Sequence, residues 1–373
     1  MNAGLFLLLL LLGLIWGASF LFIKVAVATI PPFTIVLART GIAALCLWLV
    51  IRVRDGRFPS PGPLWRSFFV MGLFNGAIPY TLINWGEQHI EAGLAAIFNG
   101  LMPLFTILFA HFTTRDERFS ARKGLGVALG LAGVAVLMGP SVLQGLGAHF
   151  LGQLAVTAAS ASYAVAAIYG KRLAGDRPLV LAAGQMTGGA LLIGPLSLSF
   201  DRPWTLSPTM PALLSVLCLG LLGTAFAYVL YYRLLARIGA TRISLVTYII
   251  PLSGVFWGWA VLGERLAPSA FAGLVMILAS VAAVGEMGLP SGSRANFDPF
   301  GWAGRLIPER TLHTAIRAFM VLVCSAFLIV RAGEWDDYLV KPLWLMETMV
   351  YIVLIAAFIM RTSPRERSRG LAE

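Results

Sequence analysis

The residues able to make or break bonds are few and scattered. His89, His111, His149 and His313 stand apart, with no HExxH-type spacing that would put two imidazoles on one helix face. Cys46, Cys218 and Cys324 lie inside apolar runs without a CxxC pair, so no zinc site, redox dithiol or disulfide framework is indicated. No catalytic set, metal site or cofactor motif is expected, and the chain does not read as an enzyme. What recurs instead is uncharged polar and aromatic side chains set in apolar stretches: Trp16, Ser19, Asn75, Tyr80, Asn84, Asn99, Tyr163, Tyr228 and Tyr248. That chemistry is binding. Rings stack on a flat solute or hold an ammonium by cation–π attraction. The same residue types also anchor helices at a bilayer interface and hydrogen-bond between helices. The ligand expected from this inventory is small, neutral or zwitterionic, and partly apolar or aromatic.

Charged candidates are fewer. Arg39 falls within an apolar run, where it could bind a carboxylate or phosphate, hold carbonyls at helix ends, or snorkel. Glu264 and Arg265 close an apolar run just before Pro268. They read as a gate or, preferably, as a helix cap with its head groups in the interface. Among the first ten apolar runs, Asp55, Asp116, Glu117, Asp176 and Asp201 sit between runs, and Glu87, Glu91, Glu264 and Glu286 sit near their ends. No carboxylate is therefore expected at mid-membrane, which weighs against a proton relay through a buried acid.

The elements that carry these residues follow from composition. Hydrophobic residues make up 58% of the 373 and charged residues 12%; soluble domains carry about 25% charged residues. Lipid is the solvent that suits such a chain. Apolar runs of spanning length lie at about 3–23, 33–51, 66–85, 92–112, 123–140, 151–170, 178–200, 211–234, 240–262 and 269–288, with two more at about 312–331 and 341–360. The net charge of +11 has no long basic run interleaved with aromatics, so nucleic acid is not an expected partner.

Positive charge alternates along the connections. Arg52, Arg54, Arg57 and Arg66 fall in the second, Arg115, Arg118, Arg122 and Lys123 in the fourth, Lys171, Arg172 and Arg177 in the sixth, and Arg233, Arg237 and Arg242 in the eighth. Arg294, Arg305 and Arg310 follow in the tenth, and Arg361, Arg365, Arg367 and Arg369 in the tail. The odd-numbered connections hold only Lys24, Arg202, Arg265, Arg331 and Lys341. Positive residues favour the cytoplasmic side, so both termini are expected there.

An internal repeat runs through the first ten runs. Pro103 pairs with Pro251 and Tyr80 with Tyr228 at an offset of 148, and Lys24 pairs with Lys171 and Pro31 with Pro178 at 147. Each copy holds an odd number of spans, so the second enters the membrane from the opposite side. Inverted repeats of this kind are associated with secondary transporters, where substrates bind near the midplane at interrupted helices. Pro79, Pro103 and Pro251 lie where such bends are expected.

The stretches LIWGASFLFIK and PLSGVFWGWAVLGERLAPSAFAGLVMILA, together with Arg39, resemble the EamA family of the drug/metabolite transporter superfamily over roughly residues 5–288. The resemblance implies ten helices, cytoplasmic termini, a cavity between the halves, and export of metabolites, amino acids or drugs. It also implies a structural or gating role for Arg39; Pro103, Pro251 and Glu264 are given a structural or gating role from their positions at bends and at a span end. The stretch TTRDERFSARK departs from the family's GERL-like turn in the first copy.

The expected architecture is an all-α polytopic membrane protein. A ten-helix core of two inverted five-helix repeats (1–145 and 146–288) precedes a linker (289–310) and a two-helix hairpin with a basic tail (311–373). The hairpin reads as an accessory or oligomerisation element, so a homo-oligomer is open. The expected function is secondary transport, with export of amino acids or aromatic, drug-like solutes across a bacterial inner membrane. The alternatives are a non-transporting scaffold and a carrier of nucleotide sugars or sugar phosphates.

Overall fold

The computed structural model describes residues 3–55, 62, 64–113, 121–143, 147–171, 173 and 178–285. The linker, the expected hairpin and the basic tail lie outside the described residues. So do parts of the second, fourth, fifth and sixth connections.

The described residues are helical, with no strand among them. The helices are α1 (Ala3–Ala26), α2 (Pro32–Asp55), α3 (Leu64–Gly72), α4 (Ile78–Gly86), α5 (Ala92–Asn99), α6 (Met102–Thr113) and α7 (Ala121–Leu143), followed by α8 (Ala148–Lys171), α9 (Pro178–Leu196), α10 (Met210–Gly220), α11 (Ala227–Ile243), α12 (Val246–Leu262) and α13 (Pro268–Gly285). Among the described residues six stretches are long and apolar enough to cross a membrane: Gly4–Ala26, Pro32–Val53, Ala92–Ala110, Ala148–Gly170, Pro178–Asp201 and Met210–Leu235. Shorter apolar helices accompany them at Gly124–Met138, Val246–Leu262 and Pro268–Ala282.

The distribution of side chains is that of a polytopic membrane protein. Leu45, Leu49 and Val53 on α2, Leu125 on α7, Trp259 on α12 and Val275 on α13 point outward and are exposed. Arg39, Thr40, Asn84, Glu87, Gln153, Gln185 and Thr224 are buried within the bundle. Water would favour the reverse.

Three expected spans are interrupted. The third is α3 and α4 joined by a π turn over Leu73–Ala77, and the eighth is α10 and α11 joined by a π turn over Leu221–Phe226. The fourth is two helices, α5 and α6. Proline at 103 lacks an N–H and its ring crowds the carbonyl four residues back, so the helix ends at Asn99 and restarts at Met102. Backbone groups freed inside lipid must find partners. The Ser160 hydroxyl donates to the Phe98 carbonyl (2.9 Å) and the Ser162 hydroxyl to the Phe74 carbonyl (2.8 Å). Thr224 donates to the Leu219 carbonyl at the other π turn (2.8 Å). Pro251 lies inside α12, which continues through it.

Small residues let the helices approach closely. The main pairings are α1 with α12, α2 and α3 with α9, α4, α5 and α6 with α8, α5 with α12, α1 and α2 with α10, and α7 with α13. The crossing of α3 and α9 is backbone on backbone. A Cβ placed on Gly72 would sit 2.5 Å from the Gly189 nitrogen and 2.8 Å from the Gln185 carbonyl oxygen.

Candidate functional site

The interrupted spans bring polar side chains together at the bundle centre. Arg39 of α2 is 5% exposed. Its Nε donates to the Thr224 hydroxyl on the second π turn (2.9 Å), and its guanidinium carbon lies 3.9 Å from the centre of the Tyr80 ring on α4. Among the described residues no carboxylate lies within ion-pair distance of it. A buried cation supported only by a hydroxyl and a ring remains able to attract an anion.

The first π turn contributes Asn75. Its amide nitrogen donates to Gln185 Oε1 (3.0 Å) and to the Tyr228 hydroxyl (2.9 Å). Tyr228 also meets Trp16 edge-on, with ring centroids 6.4 Å apart, and Trp16 meets Tyr231 at 5.7 Å. Tyr80 meets Tyr163 at 6.4 Å. Four of the nine aromatic and polar residues named from sequence as cavity candidates thus fall into two adjoining groups, Tyr80 and Tyr163 with Arg39 and Thr224, and Asn75 and Tyr228 with Gln185 and Trp16; Tyr80, Tyr163 and Tyr228 pack in one core cluster.

The others are placed differently. Ser19 is buried and bonds the Ile15 carbonyl of its own helix (3.2 Å), next to Gly223 of the second π turn. Asn84 is buried, reaches the Pro32 carbonyl at 3.5 Å, and leaves its own Oδ1 without a partner. Asn99 ends α5 at the helix break with Oδ1 likewise unpartnered. Tyr248 packs on the core cluster that contains Ile97 and Ile277. Pro103 opens α6, and Pro251 of α12 packs against Gly100 at that same break.

One end of the bundle is tied shut by polar contacts among the first, third, seventh and ninth connections. Lys24 Nζ donates to the Glu87 and Ile90 carbonyls, both at 2.7 Å. The Glu264 carboxylate accepts from the Ala92 and Gly93 amides at 2.7 and 2.9 Å, at the N-terminus of α5. Asp201 accepts from the Thr34 amide (2.7 Å) near the start of α2. Two helix N-termini are each met by a carboxylate from a segment well over a hundred residues away, the favourable sign for a helix dipole. Partial burial pushes the Glu264 carboxyl above its ordinary value, while the Gly93 and Ala92 amides pull it back.

Glu264→Ala removes both bonds and is expected to cost about 0.5–2 kcal/mol of stability, the range of a lost helix cap. The unfolding midpoint in detergent measures this. Glu264→Gln, which still accepts one of the two bonds, should lose less.

Sequence reasoning passed over Gln185, Thr224 and Glu87. Gln185 is an amide inside the apolar run of α9, a signal that was available. Glu87 was placed at a span end, where solvation would be expected. It is instead fully buried, and neither carboxylate oxygen has a hydrogen-bond partner.

Comparison with known proteins adds to this geometry. A family model described as the EamA-like transporter family matches residues 3–139 and again residues 150–285. An uncharacterized transporter, YoaV, of Bacillus subtilis is 25% identical over 269 residues, covering 72% of this chain and 92% of its own. An uncharacterized inner membrane transporter, YedA, of Escherichia coli K12 is 26% identical over 275 residues, covering 73% and 88%. A crystal structure with 20% identity superposes with a TM-score of 0.54 over 76% of this chain and 98% of the other, which shows a shared fold.

Proposed function

Since the chain belongs to the EamA-like transporter family, and is a multi-pass membrane protein of the transporter class, we propose that it exports small organic solutes, amino acids or aromatic drug-like molecules, by alternating access. The observation that carries this reading is the buried Arg39 guanidinium. It lies on the Tyr80 ring beside the Asn75–Tyr228 pair, without a carboxylate partner among the described residues. One planar cation suits one carboxylate bidentately, and the surrounding rings suit an apolar or aromatic body. A nucleotide sugar or sugar phosphate would bring two or more negative charges to a single cation. A scaffold has no use for an uncompensated buried charge, which is costly.

A core of two inverted five-helix repeats, 1–145 and 146–288, supplies the machinery. The double family match supports it. So does the packing: exchanging the halves turns the α1–α12 pairing into that of α5 and α6 with α8, and the α3–α9 pairing into α2–α10, while α2–α9, α5–α12 and α7–α13 map onto themselves. The π turns begin at Leu73 and Leu221, separated by the sequence offset of 148. The odd-numbered connections that meet at the closed end are those poor in Lys and Arg. This agrees with both termini being cytoplasmic, in a bacterial inner membrane, with the closed end facing outward.

The test is flux. Purified protein in proteoliposomes is expected to move a labelled amino acid or aromatic solute saturably. Transport restricted to sugar phosphates or nucleotide sugars would overturn the solute class, and no flux of any solute from folded protein would favour the scaffold. Tyr228→Phe removes the hydroxyl that accepts from Asn75. At about 0.5–1.5 kcal/mol for one hydrogen bond, it should slow flux by about two- to tenfold with the fold intact.

A further inference from the structure

Glu87 follows the last residue of α4, in the turn that joins the third and fourth spans. Among the described residues it is the one acidic side chain that is buried, with no exposed surface, and both carboxylate oxygens lack hydrogen-bond partners. The groups around it come from every element packed there. Lys24 of α1 is bonded to the carbonyl of Glu87 itself and to that of Ile90. Glu264 reaches in from the turn after α12 and is bonded to the Ala92 and Gly93 amides. Arg39 of α2 and Glu264 both act on Glu87 electrostatically. At the rim, His149 of α8 lies 3.6 Å from Glu91, and both of those side chains are 43% exposed.

Glu87 is therefore walled in by the same bonds that hold this end shut. Lys24 is the bolt on one side, closing on the backbone of the turn that carries it, and Glu264 is the bolt on the other, closing on the first residues of α5 that follow that turn. The end cannot open without parting these bonds, and once parted they admit water to the carboxyl. The position also selects the ion. A metal cation at this carboxyl would need further oxygen ligands, and the ammonium of Lys24 already occupies two carbonyls of the turn, those of Glu87 and Ile90.

We infer that Glu87 is a proton-binding site of the transporter, which takes up a proton from water when the outward end closes and returns it when that end opens. This rests on the transport reading above and adds a proton-linked closure of one end to it. The carboxylate gains a proton from hydronium and becomes a neutral acid, which can be enclosed without a partner charge. Burial pushes the carboxyl well above its ordinary value, with Lys24 and Arg39 pulling against the shift and Glu264 adding to it. The sign follows. The closed form binds the proton and the open form releases it, so closing is favoured below the ordinary carboxylate range. That preference is lost as pH rises towards the raised value, by a factor of up to ten per pH unit for one proton. Above it the closed form gains nothing more by binding, and turnover slows because closing must first capture a proton.

The test uses the full chain in lipid nanodiscs. Infrared difference spectra should show the carbonyl stretch of a protonated carboxylic acid well above the ordinary glutamate range. This band should disappear in Glu87→Gln, move in Glu87→Asp, and persist in Glu264→Gln and His149→Gln. Hydrogen exchange of the 87–95 segment should lose protection with rising pH beyond the intrinsic chemical rate, by up to tenfold per unit. Glu87→Gln should remain protected throughout. Absence of the band in the wild type, its persistence in Glu87→Gln, or unchanged pH dependence of exchange in that variant would each overturn the assignment. If Glu87→Gln does not fold, the wild-type band and its displacement in Glu87→Asp decide alone. Flux separates the two readings. Solute flux indifferent to pH, with no acid band, removes the proton site and leaves the transporter. An acid band without flux of any solute removes the transport reading and leaves the proton site.

Discussion

Arg39→Met is expected to reduce carboxylate transport to background in proteoliposomes, and Arg39→Lys to reduce it by about ten- to a hundredfold. The lysine keeps the charge but loses the flat, forked donor set that lies on the Tyr80 ring and reaches Thr224 through Nε. Hydrogen bonds to charged groups contribute about 1.5–3 kcal/mol each, and about 1.4 kcal/mol corresponds to a tenfold change in binding. The measurement that gives this meaning is a comparison of solutes. If Arg39 holds a substrate carboxylate, Arg39→Lys raises KM for an amino acid and leaves the amide of the same amino acid nearly unchanged. If Arg39 only props α2 against the second π turn, both solutes suffer alike and the melting temperature falls with them. That second outcome would return Arg39 to the structural or gating role implied by its family resemblance.

The largest effect on folding is expected at Gly72. A methyl group there meets the backbone of α9, with the Gly189 nitrogen at 2.5 Å, the Gly188 carbonyl carbon at 2.7 Å and the Gln185 carbonyl oxygen at 2.8 Å. Backbone cannot rotate aside as a side chain can, so the helices must separate. Overpacking of this kind costs about 1–3 kcal/mol, and here it also displaces Gln185, which binds Asn75. Gly72→Ala should lower both the yield of monodisperse protein and the unfolding midpoint. Gly41→Ala is the control. It lies inside α2 with nothing within 4 Å of the added carbon. There the usual gain of about 0.5–1 kcal/mol for alanine over glycine in a helix applies. A midpoint for Gly72→Ala equal to that of Gly41→Ala would show that α3 and α9 are held less closely than described.

The membrane architecture was legible because it depends on local composition. Apolar runs of spanning length stand out wherever they occur, and α1, α2 and α8 begin and end near the expected limits. The break in the fourth span was half legible, since Asn99, Gly100 and Pro103 announce a bend but do not say that the helix stops. The π turns had no such signal. Nothing in the sequence LFNGA separates a π turn from an α-helix that contains a glycine. The site was legible as residue types and not as contacts. Tyr80 and Tyr228 were chosen as repeat mates, but the Arg39–Thr224 bond joins residues 185 apart and the Asn75–Tyr228 bond joins residues 153 apart. Glu87 was misjudged for the same reason. Its surroundings come from distant parts of the chain, among them Lys24, which is bonded to its carbonyl from 63 residues earlier, and no property of the local sequence records that return.

A π turn holds one residue more than the α-helical turn it replaces. One residue is about 100° of helix rotation, at 3.6 residues per turn. Take one residue out of Leu73–Ala77 and α4 swings through that angle. Tyr80 would leave Arg39, and Thr81 would take its place. The same holds for Leu221–Phe226 and Tyr228. On the two-repeat reading, a change this disruptive is more simply made once than twice, which dates it before the duplication. The single-repeat ancestor would then already have turned its tyrosine inward. It would have worked as a pair of identical chains lying head to tail, with the binding site older than the protein that now contains it.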